Sequence, residues 1–296
     1  MSKIGFIGTG VMGKSIIRNM MKNNLSVNVY NRTKSKTDDL VAEGAVWYDT
    51  PKAIAEASDI IFTMVGFPSD VEGVYFNETG MFQADLTGKI VVDLTTSTPT
   101  LAEKIAKKAA EVGAHALDAP VSGGAVKAAN GEMTVMASGS DIAFERLAPV
   151  LEAVAGKVYR IGAEPGLGST VKIIHQLLAG VHIAAGAEAM ALAARAGIPL
   201  DVMYDVVTNA AGNSWMFENR MRHVVDGDYT PHSAVDIFVK DLGLVADTAK
   251  ALHFPLPLAS TALNMFTSAS NAGYGKEDDS AVIKIFSGIT LPGAKS

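Results

Sequence analysis

The pattern of apolar and polar positions changes character part-way along the chain. Over the first half, short apolar runs alternate with stretches whose apolar residues recur every three or four positions. The runs IGFI (4–7), VNVY (27–30), DIIFTMV (59–65), KIVVDL (89–94), HALDAP (115–120), MTVMA (133–137) and KVYRI (157–161) predict strands. Between them, 11–23, 34–43, 51–57, 69–75, 99–112 and 141–155 predict helices. Thr50-Pro51 and Thr98-Pro99 each place a capping hydroxyl before a proline that is preset for the first helical turn. Strands that alternate with helices predict a mostly parallel sheet covered on both faces.

After about residue 163 the strand pattern ends. The remainder predicts helices over 167–196, 200–210, 213–226, 233–252, 257–271 and 279–287. The first is close to 30 residues long and stops at Gly197-Ile198-Pro199. The expected domains are 1–163, an α/β unit, and 164–296, an all-α unit that begins with the long helix. GAEPGLG (162–168) is the expected hinge.

Composition narrows the function classes. With 296 residues, 48% of them hydrophobic, the chain can fill one large core or two ordinary ones. A net charge of −6 without any basic block argues against a nucleic-acid partner. Zero cysteines exclude disulfide and thiolate chemistry. The opening MSKIGFIGTG runs straight into a strand, with no leader pattern, and no run reaches about 18 uninterrupted apolar residues, so no membrane partner is expected and the expected location is cytoplasmic. Alanine rises from 12 in the first 117 residues to 31 in the remaining 179, which fits a helical second domain or a splice near residue 117.

GFIGTGVMGKSI carries Gly8-x-Gly10-x-x-Gly13 between a strand and a helix. Gly8 allows a tight turn, Gly10 lets backbone approach a pyrophosphate, and Gly13 lets helix and strand pack closely. Val11 and Met12 open the helix whose N-terminus would face the phosphates. The expected first domain is therefore of Rossmann type. Its second strand ends in Asn31-Arg32-Thr33, without the acid that accepts from the ribose of NAD. A guanidinium there matches a 2′-phosphate, so NADP is the expected cofactor and NAD the alternative; Lys34 and Lys36 add positive potential. In GLGSTVKIIHQ (166–176), Lys172, His175 and Gln176 fall at i, i+3 and i+4 and share one helix face. A lysine desolvated in such a helix is shifted toward the working range of an acid/base catalyst. No cluster has metal-ligand spacing, so no metal is expected.

The glycine loop, DAPVSGG (118–124), G-x-x-x-K ending at Lys172, and Lys240-Asp241-Leu242 stand in the order and spacing of the β-hydroxyacid dehydrogenases, and the chain resembles that family over essentially its whole length. From about Leu117 onward it is similar to the bacterial threonate-type branch. Its N-terminal part resembles a different, NADPH-type branch, which suggests a chimera. The resemblance implies a reversible NAD(P)-dependent oxidation of a small hydroxy acid between the two domains, with Lys172 as general acid/base. L-Threonate is the expected substrate, with 3-hydroxyisobutyrate, D-glycerate or 4-hydroxybutyrate as alternatives; a non-catalytic dinucleotide-binding scaffold is an alternative of another class. It further implies that Ser122, Gly123 and Gly124 grip the substrate carboxylate and that His175, where most of the family has Asn, reads an added hydroxyl. Gln176, Trp215 and Phe238 are expected at the substrate end. Thr96 is expected near the nicotinamide, Met64, Val65 and Pro68 along the adenosine, and Lys240 against the cofactor or substrate. A homo-oligomer, dimer or tetramer, is expected from the Ala-rich helical domain.

Overall fold

The structure, a computed structural model, describes residues 2–293. Two compact units divide at Lys172 and Ile173.

The first unit is built on a nine-stranded sheet. Its strands are β1 (Ile4–Ile7), β2 (Val27–Tyr30), β3 (Val46–Trp47), β4 (Ile60–Thr63), β5 (Ile90–Asp93), β6 (His115–Asp118), β7 (Val121–Ser122), β8 (Met133–Gly139) and β9 (Ala155–Gly162). They lie in the order β3-β2-β1-β4-β5-β6-β8-β7, with β9 on β8. The strands from β3 to β6 pair in parallel, β8 runs antiparallel to β6 and β7, and β9 is parallel to β8. The chain reverses its direction of winding between β1 and β4. In open α/β sheets that switch point, at the carboxyl ends of the strands, is where ligands bind.

Strands β1, β4 and β5 are buried along their whole length, as expected of a parallel sheet covered on both sides. Successive side chains enter two separate cores. Ile60 and Phe62 pack with Phe6 and Ile17 on one face; Ile61 and Val91 pack with Tyr75 and Ile105 on the other. The covering helices are α1 (Val11–Lys22), α2 (Asp38–Ala42), α3 (Pro51–Glu56), α4 (Pro68–Phe76), α5 (Pro99–Glu111), α6 (Gly124–Asn130) and α7 (Asp141–Glu152). Both threonine caps form: Ala53 donates to Thr50 at 3.0 Å and Leu101 to Thr98 at 3.2 Å. The helix expected over 34–43 divides into a 3₁₀ turn, Lys34–Thr37, and α2.

The long helix α8 (Leu167–Arg195) leads from the first unit into the second, which continues as α9 (Leu200–Thr208), α10 (Trp215–Asp226), α11 (Val235–Ala251) and α12 (Pro257–Ala269). The final expected helix is 3₁₀, Asp279–Ile285. Buried Asp279 holds it to α10 through Arg220 Nε at 2.7 Å. The core packs Ile183, Met190, Phe217, Met221, Leu242 and Phe266. By length and composition alone α8 could cross a membrane, although the apolar run is interrupted; half of its most apolar stretch is buried inside the protein, as in a core helix.

Candidate active site

The cofactor end is built from the loops that follow the parallel strands. Gly8 has φ +102°, and a Cβ there would stand 2.0 Å from the Met64 carbonyl oxygen. A Cβ on Gly13 would stand 2.0 Å from the Gly8 carbonyl oxygen. Packing therefore demands glycine at both positions. Gly10 differs: no heavy atom lies within 4 Å of the place its Cβ would take. It leaves an open approach to the N-terminus of α1, whose first turn has no acid and no side-chain cap. The unsatisfied N–H groups and the helix dipole favour an anion there, so this loop fits a dinucleotide pyrophosphate. Gly10→Ala is expected to leave the melting temperature nearly unchanged and to weaken dinucleotide binding at least several fold, as thermal unfolding and fluorescence titration will read. A clear loss of stability, or unchanged affinity, counts against this role.

The end of β2 carries two differently placed residues. Asn31 braces the glycine loop, accepting from Thr9 N at 3.1 Å and donating to the Thr33 carbonyl at 2.9 Å. Arg32 extends into solvent with its side chain 86% exposed, and its Nη1 lies 3.2 Å from Asp70 Oδ1 of α4. Lys34 Nζ lies over the Trp47 ring at 4.4 Å. Next along the edge, Met64 N donates to the Ile7 carbonyl at 2.8 Å and Val65 N to Thr95 Oγ1 at 3.1 Å. Pro68 opens α4, Thr96 is half-buried after β5, Val11 is exposed and Met12 packs against the core. All of these lie just beyond the carboxyl ends of β1, β2, β4 and β5.

A second constellation surrounds the start of α8. Buried Asp118, at the end of β6, accepts from Ser169 N at 2.7 Å and from Ser169 Oγ at 2.7 Å. Ser138 on β8 accepts from Gly168 N at 2.9 Å. These oxygens satisfy N–H groups of the first turn of α8, where negative charge also complements the helix dipole. Four residues after Asp118 comes half-buried Ser122, then Gly123 (φ +130°) and Gly124 (φ +65°). One turn along α8 from Ser169 stands Lys172, 5% exposed. Asp118 and Ser169 are structural supports that motif reading passed over; the signal was Asp118 as first residue of DAPVSGG.

Burial pushes the Asp118 carboxyl up to about 6, against the opposing pull of the Ser169 hydrogen bonds. The native state then holds a proton more tightly than the unfolded chain. Its contribution is full below the ordinary value of 3.8 and is lost as pH rises through about 6. The melting temperature of wild type relative to Asp118→Asn is expected to fall as pH rises from about 4 through about 6 and to level off about one pH unit beyond. A difference that rises over that window contradicts the assignment.

In the helical unit, Gln176 is buried and His175 lies at the surface of α8. His175 Nδ1 is 2.9 Å from Gln176 Oε1, and Gln176 Nε2 donates to Asp241 Oδ2 at 2.5 Å. Lys240 Nζ lies 3.1 Å from Asp241 Oδ1. Phe238 is buried and stacks on Phe266 at 5.1 Å, whereas Trp215 is 56% exposed at the start of α10. Of the apolar neighbours on α8, Ile173 is buried, but Ile174 and Leu178 are more than half exposed.

Residues 3–162 match the NAD binding domain of 6-phosphogluconate dehydrogenase, and residues 166–286 match the NAD-binding domain of NADP-dependent 3-hydroxyisobutyrate dehydrogenase. The chain belongs to the β-hydroxyacid (3-hydroxyisobutyrate) dehydrogenase family. As a member it is an NAD(P)-dependent oxidoreductase, with a Rossmann-type α/β domain followed by a helical one. An L-threonate dehydrogenase of Escherichia coli K12 is 71% identical over 99% of this chain and 97% of its own. A structure titled 3-hydroxyisobutyrate dehydrogenase from Salmonella typhimurium is 62% identical, with TM-score 0.90 over 97% of this chain and 100% of its own. Psf3 in complex with NADP+ and 2-OPP is 28% identical, with TM-score 0.87 over 95% of this chain and 99% of its own. These alignments all cross residue 117. They give no support to a splice there, and the alanine gradient is accounted for by the helical second domain.

Proposed function

We propose that this β-hydroxyacid dehydrogenase oxidises L-threonate reversibly to its 2-keto acid, with NADP preferred over NAD. The observation that carries the reading is buried Lys172, one helical turn beyond a serine clamped by Asp118, in a chain 71% identical to an L-threonate dehydrogenase. The bound dinucleotide supplies a nicotinamide that exchanges hydride with the hydroxyl-bearing carbon. Lys172 Nζ takes the hydroxyl proton in oxidation and returns it in reduction. Ser122 and the backbone N–H groups of Gly123 and Gly124 hold the substrate carboxylate, and positive φ at both glycines supports such a concave nest. His175 reads the additional hydroxyl, supported by Gln176; Phe238 and Trp215 belong to the substrate end. Gly8, Gly10, Val11 and Met12 seat the pyrophosphate, Asn31, Arg32 and Thr33 the adenosine ribose, Met64, Val65 and Pro68 the adenine side, and Thr96 and Lys240 the nicotinamide side. The working domains are 1–163 for the cofactor and 164–296 for substrate and assembly. Exposed Leu192, Val202, Val206, Leu252 and Leu258 support a dimer or tetramer, which light scattering will test.

The deciding experiment is kcat/KM for L-threonate, D-glycerate, 3-hydroxyisobutyrate and 4-hydroxybutyrate with each cofactor. L-Threonate is expected to lead, and His175→Asn is expected to narrow its lead. Equal activity on L-threonate and 3-hydroxyisobutyrate refutes the role given to His175.

A further inference from the structure

Buried Gln176 lies between two partners of different chemistry. An amide is a donor at one end and an acceptor at the other, so fixing one end fixes the other. Asp241 is 2% exposed and paired with the Lys240 ammonium 3.1 Å away. As a carboxylate it only accepts, so the amide end that meets it must be Nε2. Oε1 is thereby turned toward His175 Nδ1, 2.9 Å away. Because Oε1 only accepts, Nδ1 must carry the hydrogen.

We infer that Asp241, acting through Gln176, sets the tautomer of His175: the proton sits on Nδ1 and the lone pair on Nε2. Turning the amide over would set its oxygen against a carboxylate oxygen. Moving the ring proton to Nε2 would set a nitrogen lone pair against Oε1. The first sets two buried oxygens against each other, and the second leaves buried Oε1 facing a second acceptor 2.9 Å away, both costly arrangements. Neutral His175 thus offers Nε2 as a hydrogen-bond acceptor, and the group it selects is an O–H donor. An asparagine side chain offers both a donor and an acceptor and makes no such demand. Asp241 is a positioning residue in this account. The consequence for substrate choice rests on the reading of His175 given under Proposed function; the tautomer itself does not.

The test uses full-length protein with 15N-labelled histidine. Long-range 1H–15N correlation spectra are recorded at a pH where the ring is neutral, and His175 is assigned by its loss in His175→Asn. Wild type is expected to show a protonated Nδ1 and an unprotonated Nε2. In Asp241→Asn the new amide can accept or donate, so Gln176 is free to turn over. In Gln176→Met the relay is removed at similar volume. Both variants are expected to move His175 toward the Nε2–H form that histidine favours in water. Gln176→Met is also expected to reduce the kcat/KM preference for L-threonate over 3-hydroxyisobutyrate by about 3- to 10-fold, mainly through KM, the effect of one neutral hydrogen bond. An Nε2–H ring in wild type, or an unchanged tautomer in both variants, overturns the inference. Should wild type leave L-threonate untouched, the substrate reading falls, and the spectra still decide the tautomer.

Discussion

Lys172→Met lowers kcat by about 10²–10⁴-fold, the usual contribution of a positioned general acid/base, and leaves cofactor affinity within a few fold. Methionine keeps the length and most of the volume of the buried stem while deleting the ammonium, so the substitution tests chemistry more than packing. Lys172 is 5% exposed, and it is followed by buried Ile173 and by Ile174, which is more than half exposed. Burial desolvates the ammonium, which is the condition under which a lysine comes into the working range of an acid/base catalyst. Burst and steady-state kinetics, together with dinucleotide titration, separate the two effects. Near-wild-type turnover removes Lys172 from the mechanism. A parallel loss of cofactor binding makes it a structural residue.

Arg32→Ala shifts the NADP/NAD ratio of kcat/KM toward NAD by roughly 10- to 150-fold, the range of one hydrogen-bonded charge contact. The second strand itself ends without an acid, and Arg32 offers a planar fork that matches a 2′-phosphate. Its side chain is 86% exposed, so little desolvation opposes the contact. Exposure also means screening, and the preference should weaken as ionic strength rises. Asp70 pulls the other way. Its carboxylate lies 3.2 Å from Arg32 Nη1 and must give up that partner to the phosphate. Asp70→Asn is therefore expected to strengthen the NADP preference. An unchanged ratio in Arg32→Ala, or an NAD-preferring wild type, refutes the assignment.

Much of the architecture was legible from periodicity, and the places it was not share a physical cause. The buried strands β1, β4 and β5 are continuous apolar runs, and α3 and α5 open with the threonine caps that the Thr-Pro pairs predict. Strands β3 and β7 are two residues each, too short to show any period, and exist because a neighbouring strand offers hydrogen bonds. Lys34–Thr37 and Asp279–Ile285 carry helical spacing but tighten to 3₁₀, which a seven-residue window does not distinguish. At the candidate site, motifs supplied the residues on single segments: the glycine loop, Asn31 to Thr33, and Lys172. The supports were hidden because they join distant segments. Asp118 reaches Ser169 across 51 positions, and Gln176 reaches Asp241 across 65. No local pattern encodes such a pair.

The clasp between Asp118 and the first turn of α8 bears on how this protein can be recombined. The same short segment that carries Asp118 continues into Ser122, Gly123 and Gly124, while Ser169 is followed one turn later by Lys172. The 118–124 loop and the helix start that carries Lys172 are thus anchored to a single carboxylate. Exchanging 118–124 without 166–172 would pair a loop from one parent with a helix start from another. Shuffled libraries that place a crossover between those two segments should be depleted of active clones, whereas crossovers before Asp118 should pass.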